Sequence, residues 1–226
     1  MTFAEPQTLH ENTRLANCLQ ELGLGDHKHT RNNLVERLAE LIDLSDAFEL
    51  SEQLRGLPRI KFTPGEETAI TPSGALRAHF IRERRAMMDL LLLKSTPGPN
   101  NLALPHEMPD SFDILQRFYT LQQSEMEHQI QKLRVYLREA MSRISLELKQ
   151  LALLDAALAE TITNETRKAL HALPRLLQTR FVRLQQEPES YLRFIHDMQL
   201  LLLAELDLRL QPLTGLVEAL DEHTGI

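Results

Sequence analysis

Between Pro109 and Pro174 the chain runs for 64 residues without a glycine or a proline. Those are the two residues least tolerated inside a helix, so a run of this length admits little besides helix. Its apolar residues recur in steps of three and four. Phe112, Leu115 and Tyr119 open one face, Met126, Ile130, Leu133 and Leu137 continue it, and Ile144, Leu148, Leu151 and Leu158 close it. Asp110 or Ser111 is placed to cap the start, with Asp113 in the first turn, where the helix dipole favours an acid. The pattern predicts one helix over residues 111–160, about 75 Å long. It also predicts a break at Glu160 to Thr166, where Thr, Ile and Asn are poor helix formers.

The rest of the chain is punctuated around that run. Leu15, Cys18, Leu19 and Leu22 share a helical face that Gly23 or Gly25 ends. Two further helices are predicted up to Gly56, the first with Leu34, Leu38, Leu41 and Ile42 inward. Together they give an N-terminal three-helix unit over 1–57. A connector rich in Pro and Gly spans 58–75, and Thr71–Pro72 reads as a cap followed by proline at the first helical position. The next helix places Leu76, Phe80, Met87 and Leu91 on one face, and its apolar end, MMDLLLL, predicts deep burial. A second connector covers 95–109 within a long-helix bundle over 76–226. Leu173, Leu176, Leu177, Phe181 and Leu184 mark a helix restarted at Pro174, and Pro188 is placed to end it. The last long helix begins near Ser190, and Pro212 is expected to kink or restart it. Within it, Leu206, Leu208 and Leu210 alternate with polar residues at strand period. Leu203, Leu206, Leu210 and Leu213 also fit a helix, and Glu205 with Arg209 makes a favourable i,i+4 pair, so helix is the reading. The expected fold is all-α, with seven to nine helices packed as an elongated bundle around one long central helix.

Composition narrows the function classes. The formal charge is −7 over 226 residues, which disfavours nonspecific nucleic-acid binding as the main task. Tryptophan is absent, so the core must be rich in leucine. The single cysteine excludes an intramolecular disulfide and fits a reducing cytoplasm. No signal peptide is apparent, and the apolar runs are too short to cross a bilayer. Charge is segregated: residues 111–187 carry nine acids and eleven bases, whereas 188–226 carry seven acids and two bases. That distribution suits flanking segments folding back on a basic middle.

Several residues are candidates for a site, each with a plainer alternative. Glu125 and His128 have the Glu-x-x-His spacing of di-iron bundles, but no second such motif exists, and a solvated pair is favoured. His27 and His29 flank Lys28 in a loop without a third ligand. Arg77, His79, Arg82, Arg84 and Arg85 form a basic patch without interleaved aromatics, which suits salt bridges within the chain or to a protein partner better than nucleic acid. Asp155 falls at or beside the apolar stripe, where it would either set packing register or stay wet at the edge. Cys18, among leucines, reads as a small core residue. No phosphate loop or nucleophile elbow is present. The expectation is a chain without catalytic residues, cofactor or metal.

The run FIHDMQLLLLAELDLRLQPLTGLVEAL resembles the closing segment of the bacterial family called domain of unknown function 3348. LQQSEMEHQIQKLRVYLREA, LALLDAAL and LHALPRLLQTRF resemble its middle. NNLVERLAELIDLSDAFELSEQL resembles its N-terminal part, with Leu44 where that pattern has an aromatic. The resemblance supplies no catalytic residues. It implies a setting beside membrane proteins similar to flagellar-stator or Tol/Exb ion-driven motors with an OmpA-like peptidoglycan-binding partner, a layout like that of some phage-defence operons. The function expected from this is a cytoplasmic helical adaptor or scaffold, peripheral to the inner membrane through a protein partner and with a homodimer allowed. A nucleic-acid-associated regulator is the rival reading.

Overall fold

The computed structural model describes residues 14–24, 51–52, 55–57, 73–92, 104–105, 107–185 and 190–225. The fold is all-α: among the described residues there is one short helix, α1 (Arg14–Glu21), and five longer ones. These are α2 (Ser73–Leu91), α3 (Asp113–Met141), α4 (Leu146–Leu170), α5 (Leu173–Leu184) and α6 (Ser190–Thr224). The pair His27 and His29 and most of the expected three-helix unit lie outside the described residues, as does Pro188.

The helix that organises the fold is α6, and not the run before it. Each of the other five helices packs against α6. Six consecutive residues, Leu201 to Leu206, are buried, which happens only when a helix is covered on every side. Leu203, Leu206, Leu210 and Leu213 are all in the core, as their spacing predicts. Pro212 neither stops nor restarts the chain: α6 continues through it to Thr224. Proline removes one ladder hydrogen bond, and the burial of Leu210, Leu213, Leu216 and Val217 on either side of it offsets that loss.

The predicted 111–160 helix is two helices. Residues Ser142 to Ser145 turn the chain, and α4 returns antiparallel along α3. The turn has a local chemistry. Ser142 donates its hydroxyl to the Arg138 carbonyl at 2.7 Å, and Ser145, in extended conformation, accepts the Leu148 amide at 3.2 Å as an N-cap. Glu147 then sits in the first turn, where the helix N-terminus and the Ser145 hydroxyl lower its carboxyl pKa. Folding back gives the second half of the apolar stripe a partner. Met141 and Leu148 close a small core with Leu76, Leu216 and Leu220. The expected break at Glu160 to Thr166 is absent, because α4 continues to Leu170 and the chain turns at His171–Ala172 instead. Leu148→Ala is expected to cost about 2 to 3 kcal/mol in a urea unfolding curve, toward the low end for a buried leucine because Ile144 and Leu151 beside it are only half-buried. A loss under about half a kcal/mol would show that the turn does not form this core.

Neither Asp110 nor Ser111 is the N-cap of α3: that position is Phe112, which makes no side-chain cap hydrogen bond, although the Ser111 hydroxyl just before it accepts the Asp113 amide at 3.2 Å. Leu76, Phe80, Met87 and Leu91 form the buried face of α2, but its apolar end is not deeply buried: Leu90 is 50% and Leu92 41% exposed. A helix on the outside of a bundle covers one face only, whatever the composition of the other. In α5, Pro174 lies in the first turn and Leu173, Leu177, Phe181 and Leu184 are buried. α1 joins the main core through Cys18 and Leu22.

Candidate functional site

The polar residues of α6 divide between two faces. Glu205 and Arg209, one turn apart, face α3, while Asp207 faces α1 and α2. Asp207 receives Arg14 at 2.6 Å and Arg84 at 3.0 Å. Arg77 reaches Asp221 at 3.5 Å, and Arg180 of α5 donates to the buried Asp197 at 2.8 Å. The acid-rich final helix thus collects arginines from α1, α2 and α5. Two members of the basic patch, Arg77 and Arg84, hold α2 to α6, whereas Arg82 and Arg85 face solvent. His79 lies within hydrogen-bond distance of Arg82, at 2.7 Å, and its ring lies 4.3 Å from that of Tyr136.

A buried polar seam joins α3, α6 and α4. Glu205 is fully buried. Tyr119 donates to one of its oxygens at 2.9 Å, and Gln123 and Arg209 donate to the other at 2.7 and 3.1 Å. The next i+4 position on α3 is Glu127, which bridges Arg209, at 3.5 Å, and Arg167 of α4. Three residues at i,i+4 spacing on α3 therefore read one face of α6, and only one register of the two helices satisfies all of them. Burial pushes the Tyr119 hydroxyl pKa up, and the Glu205 charge adds to the rise. The Arg167 hydrogen bond holds Glu127 below its ordinary value despite partial burial.

A carboxyl whose pKa is lower in the folded state stabilises the fold above its unfolded value, and that contribution is lost as pH falls through the folded pKa. Glu127→Gln is therefore expected to flatten the acid limb of the stability curve below pH 4.5, the ordinary value for this group, in urea titrations at successive pH. An unchanged limb would show that the Arg167 pair adds nothing.

A second cluster lies farther along the hairpin. Arg138 donates to Asp155 twice, to a carboxylate oxygen at 2.5 Å and to the backbone carbonyl at 2.9 Å. Asp155 is buried and paired, not wet at the stripe edge. Arg134, 3% exposed, comes no closer than 3.8 Å to the same carboxylate, and its Nε has no hydrogen-bond partner. Burial pushes its pKa down.

Both clusters border an open groove of about 1280 Å³ walled by α3, α4 and the C-terminal half of α6. His128 stands at its edge and is exposed, while Glu125 accepts Gln129 at 2.6 Å, so the Glu-x-x-His pair is not drawn together. Among the described residues no cluster of three His, Cys, Asp or Glu residues could hold a metal. Cys18 is buried, and burial raises its thiol pKa to about 11, the behaviour of a core residue. No described helix is long and apolar enough to cross a membrane. The sequence signals for the seam were the Glu205–Arg209 pair and the i,i+4 series on α3. Arg134 and Arg167 carried no local signal, because each acts through a different helix.

No curated protein and no solved structure matches the chain. What it resembled in the C-terminal run and the middle segments extends over nearly its whole length: residues 1–222 match the family of proteins of unknown function DUF3348, and the chain belongs to that family.

Proposed function

We propose that the chain is a non-enzymatic helical adaptor that works by docking other proteins on its helix faces. The observation that carries this reading is the groove between α3, α4 and α6. At about 1280 Å³ it is open and larger than the usual small-ligand pocket of about 300 to 1,000 Å³. A groove walled by helices suits a helical segment, which buries an apolar or mixed face there. The partner-facing part of the basic patch, in this reading, is Arg82 and Arg85, since Arg77 and Arg84 are engaged with α6. An adaptor needs two separable surfaces, and the patch on α2 and the groove are two. The complete chain would carry the seven to nine helices that its sequence predicts in an elongated, cytoplasmic bundle. The setting we favour is the one the family resemblance implies: the cytoplasmic side of an ion-driven envelope motor complex of the stator or Tol/Exb type, in a phage-defence role.

The test is affinity purification of the tagged chain from its native cell, followed by mass spectrometry and by size-exclusion chromatography with the co-expressed candidates. A stoichiometric protein partner that survives gel filtration is expected, with binding weakened by Arg82→Glu plus Arg85→Glu. Arg84 is left intact because its loss would disturb the α2–α6 packing. Absence of any protein complex, together with a tight mobility shift of DNA or RNA at physiological salt, would replace the adaptor by a nucleic-acid-associated regulator.

A further inference from the structure

The groove has an unbalanced charge at its base. Four arginines line it: Arg134, Arg138, Arg167 and Arg209. Among the described residues they share three acids. Arg167 and Arg209 divide Glu127, Arg209 also holds Glu205, and Arg138 takes Asp155. Among the described residues Arg134 is left with the one Asp155 carboxylate oxygen, 3.8 Å away, that Arg138 already engages at 2.5 Å. It makes no hydrogen bond through Nε and is almost wholly buried. Two other acids border the groove. Glu165 is paired with Lys168, and Glu160 is exposed, with no ion pair to Arg134.

An arginine keeps its charge at any physiological pH, so Arg134 cannot relieve its position by losing a proton. A buried cation without a matched acceptor is costly to the free chain. The position makes physical sense if an acceptor arrives from outside, and the groove is the open route to it. The wall opposite supplies room. Ala156, Ala159, Thr163 and Thr166 follow one another at helical spacing along α4 and line the groove. Small side chains let a second helix approach closely, and a helix delivers a carboxylate to a fixed depth.

We infer that this groove is the docking site for a partner α-helix bearing an acidic side chain, whose carboxylate pairs with Arg134. The occupant follows from charge complementarity at the base and from the volume and small-residue wall above it. Arg134 sets specificity: a helix with glutamine in place of the acid leaves the guanidinium unsatisfied and is rejected. The inference rests on the adaptor reading and names the surface and the partner chemistry for it.

The test uses the full chain and two fluorescent alanine-rich helical peptides, one with glutamates at i,i+4 spacing and one with glutamines there. By anisotropy, the glutamate peptide is expected to bind at least tenfold more tightly than the glutamine peptide. Arg134→Met is expected to abolish that preference and, by removing an unmatched buried charge, to leave the free chain as stable as before or more so. Ala156→Phe provides a second variant, at an exposed position that leaves the core and Arg134 untouched, and is expected to block both peptides. Equal binding of the two peptides, no binding of either, or an unaltered preference in Arg134→Met overturns the assignment. Saturable protection by inorganic phosphate that competes with neither peptide also overturns it, as a small-anion site. If the native partner still co-purifies with Arg134→Met and Ala156→Phe, the groove assignment falls while the adaptor reading stands. If no partner is found at all, the adaptor reading falls first.

Discussion

Glu205→Ala is expected to destabilise the fold by about 3 to 5 kcal/mol, the scale for breaking a buried charge pair from one side. The carboxylate accepts from three buried or half-buried donors, Tyr119, Gln123 and Arg209. With it gone, the buried Tyr119 hydroxyl and the half-buried Gln123 amide lose this acceptor, and Arg209 leans on Glu127 alone. Leaving donors unsatisfied costs more than losing the bonds themselves. Tyr119→Phe should cost far less, about 1 kcal/mol, because it removes one donor and leaves Glu205 with two. The two changes share one network, so the double variant should fall well short of the sum. Equilibrium urea unfolding with both singles and the double measures this directly. A loss below about 1 kcal/mol for Glu205→Ala would mean that water or a rearranged Arg209 fills the site.

Phe194→Ala should produce a loss of similar size, about 3 to 5 kcal/mol, through packing alone. Phe194 has no exposed surface and meets two rings edge-on, Phe181 at 5.5 Å and Phe112 at 6.2 Å. Those three rings join the start of α3, the end of α5 and the first turns of α6. The chain has few aromatics and no tryptophan to refill the hole. Truncation therefore leaves a cavity shared by three helices, and the melting temperature should fall by roughly 10 °C or more. Leu192, two residues earlier on the same helix, is 78% exposed and serves as the control. Its change to alanine should stay within about half a kcal/mol. Comparable losses at the two positions would mean that the helix is unfolding locally and that the ring cluster does not hold it.

A chain that spends its charged residues on internal pairing, as at Asp197, Asp207 and Glu205, gains a fixed arrangement of helices. Among the described residues the buried side-chain atoms without a hydrogen-bond partner are Nε of Arg134, Nε of Arg209 and one oxygen of Asp221; Arg209 has closer partners in Glu205 and Glu127, whereas Arg134 has Asp155 at 3.8 Å.

The faces of individual helices were determined by sequence alone. Leu76, Phe80, Met87 and Leu91 on α2, the stripe from Phe112 to Leu137 on α3, and Leu203 to Leu213 on α6 are all buried where period 3.6 puts them. Periodicity is a local property, and a helix has no other way to hide an apolar row. Tertiary structure alone decided where the long run folds back. Ser142 to Ser145 contain neither glycine nor proline, and serine is tolerated within a helix as well as at its cap. The turn forms there because a single straight helix would leave half of its stripe without a partner, a comparison no local window contains. The same holds for the central helix. The two strongest candidates have similar patterns, and only the arrival of five neighbours distinguishes the covered one. Most non-local of all is the polar seam. Tyr119 and Glu205 are separated by 86 residues, and whether an acid on a helix is wet, paired with its own turn, or locked in a core network depends on what the rest of the chain brings to it.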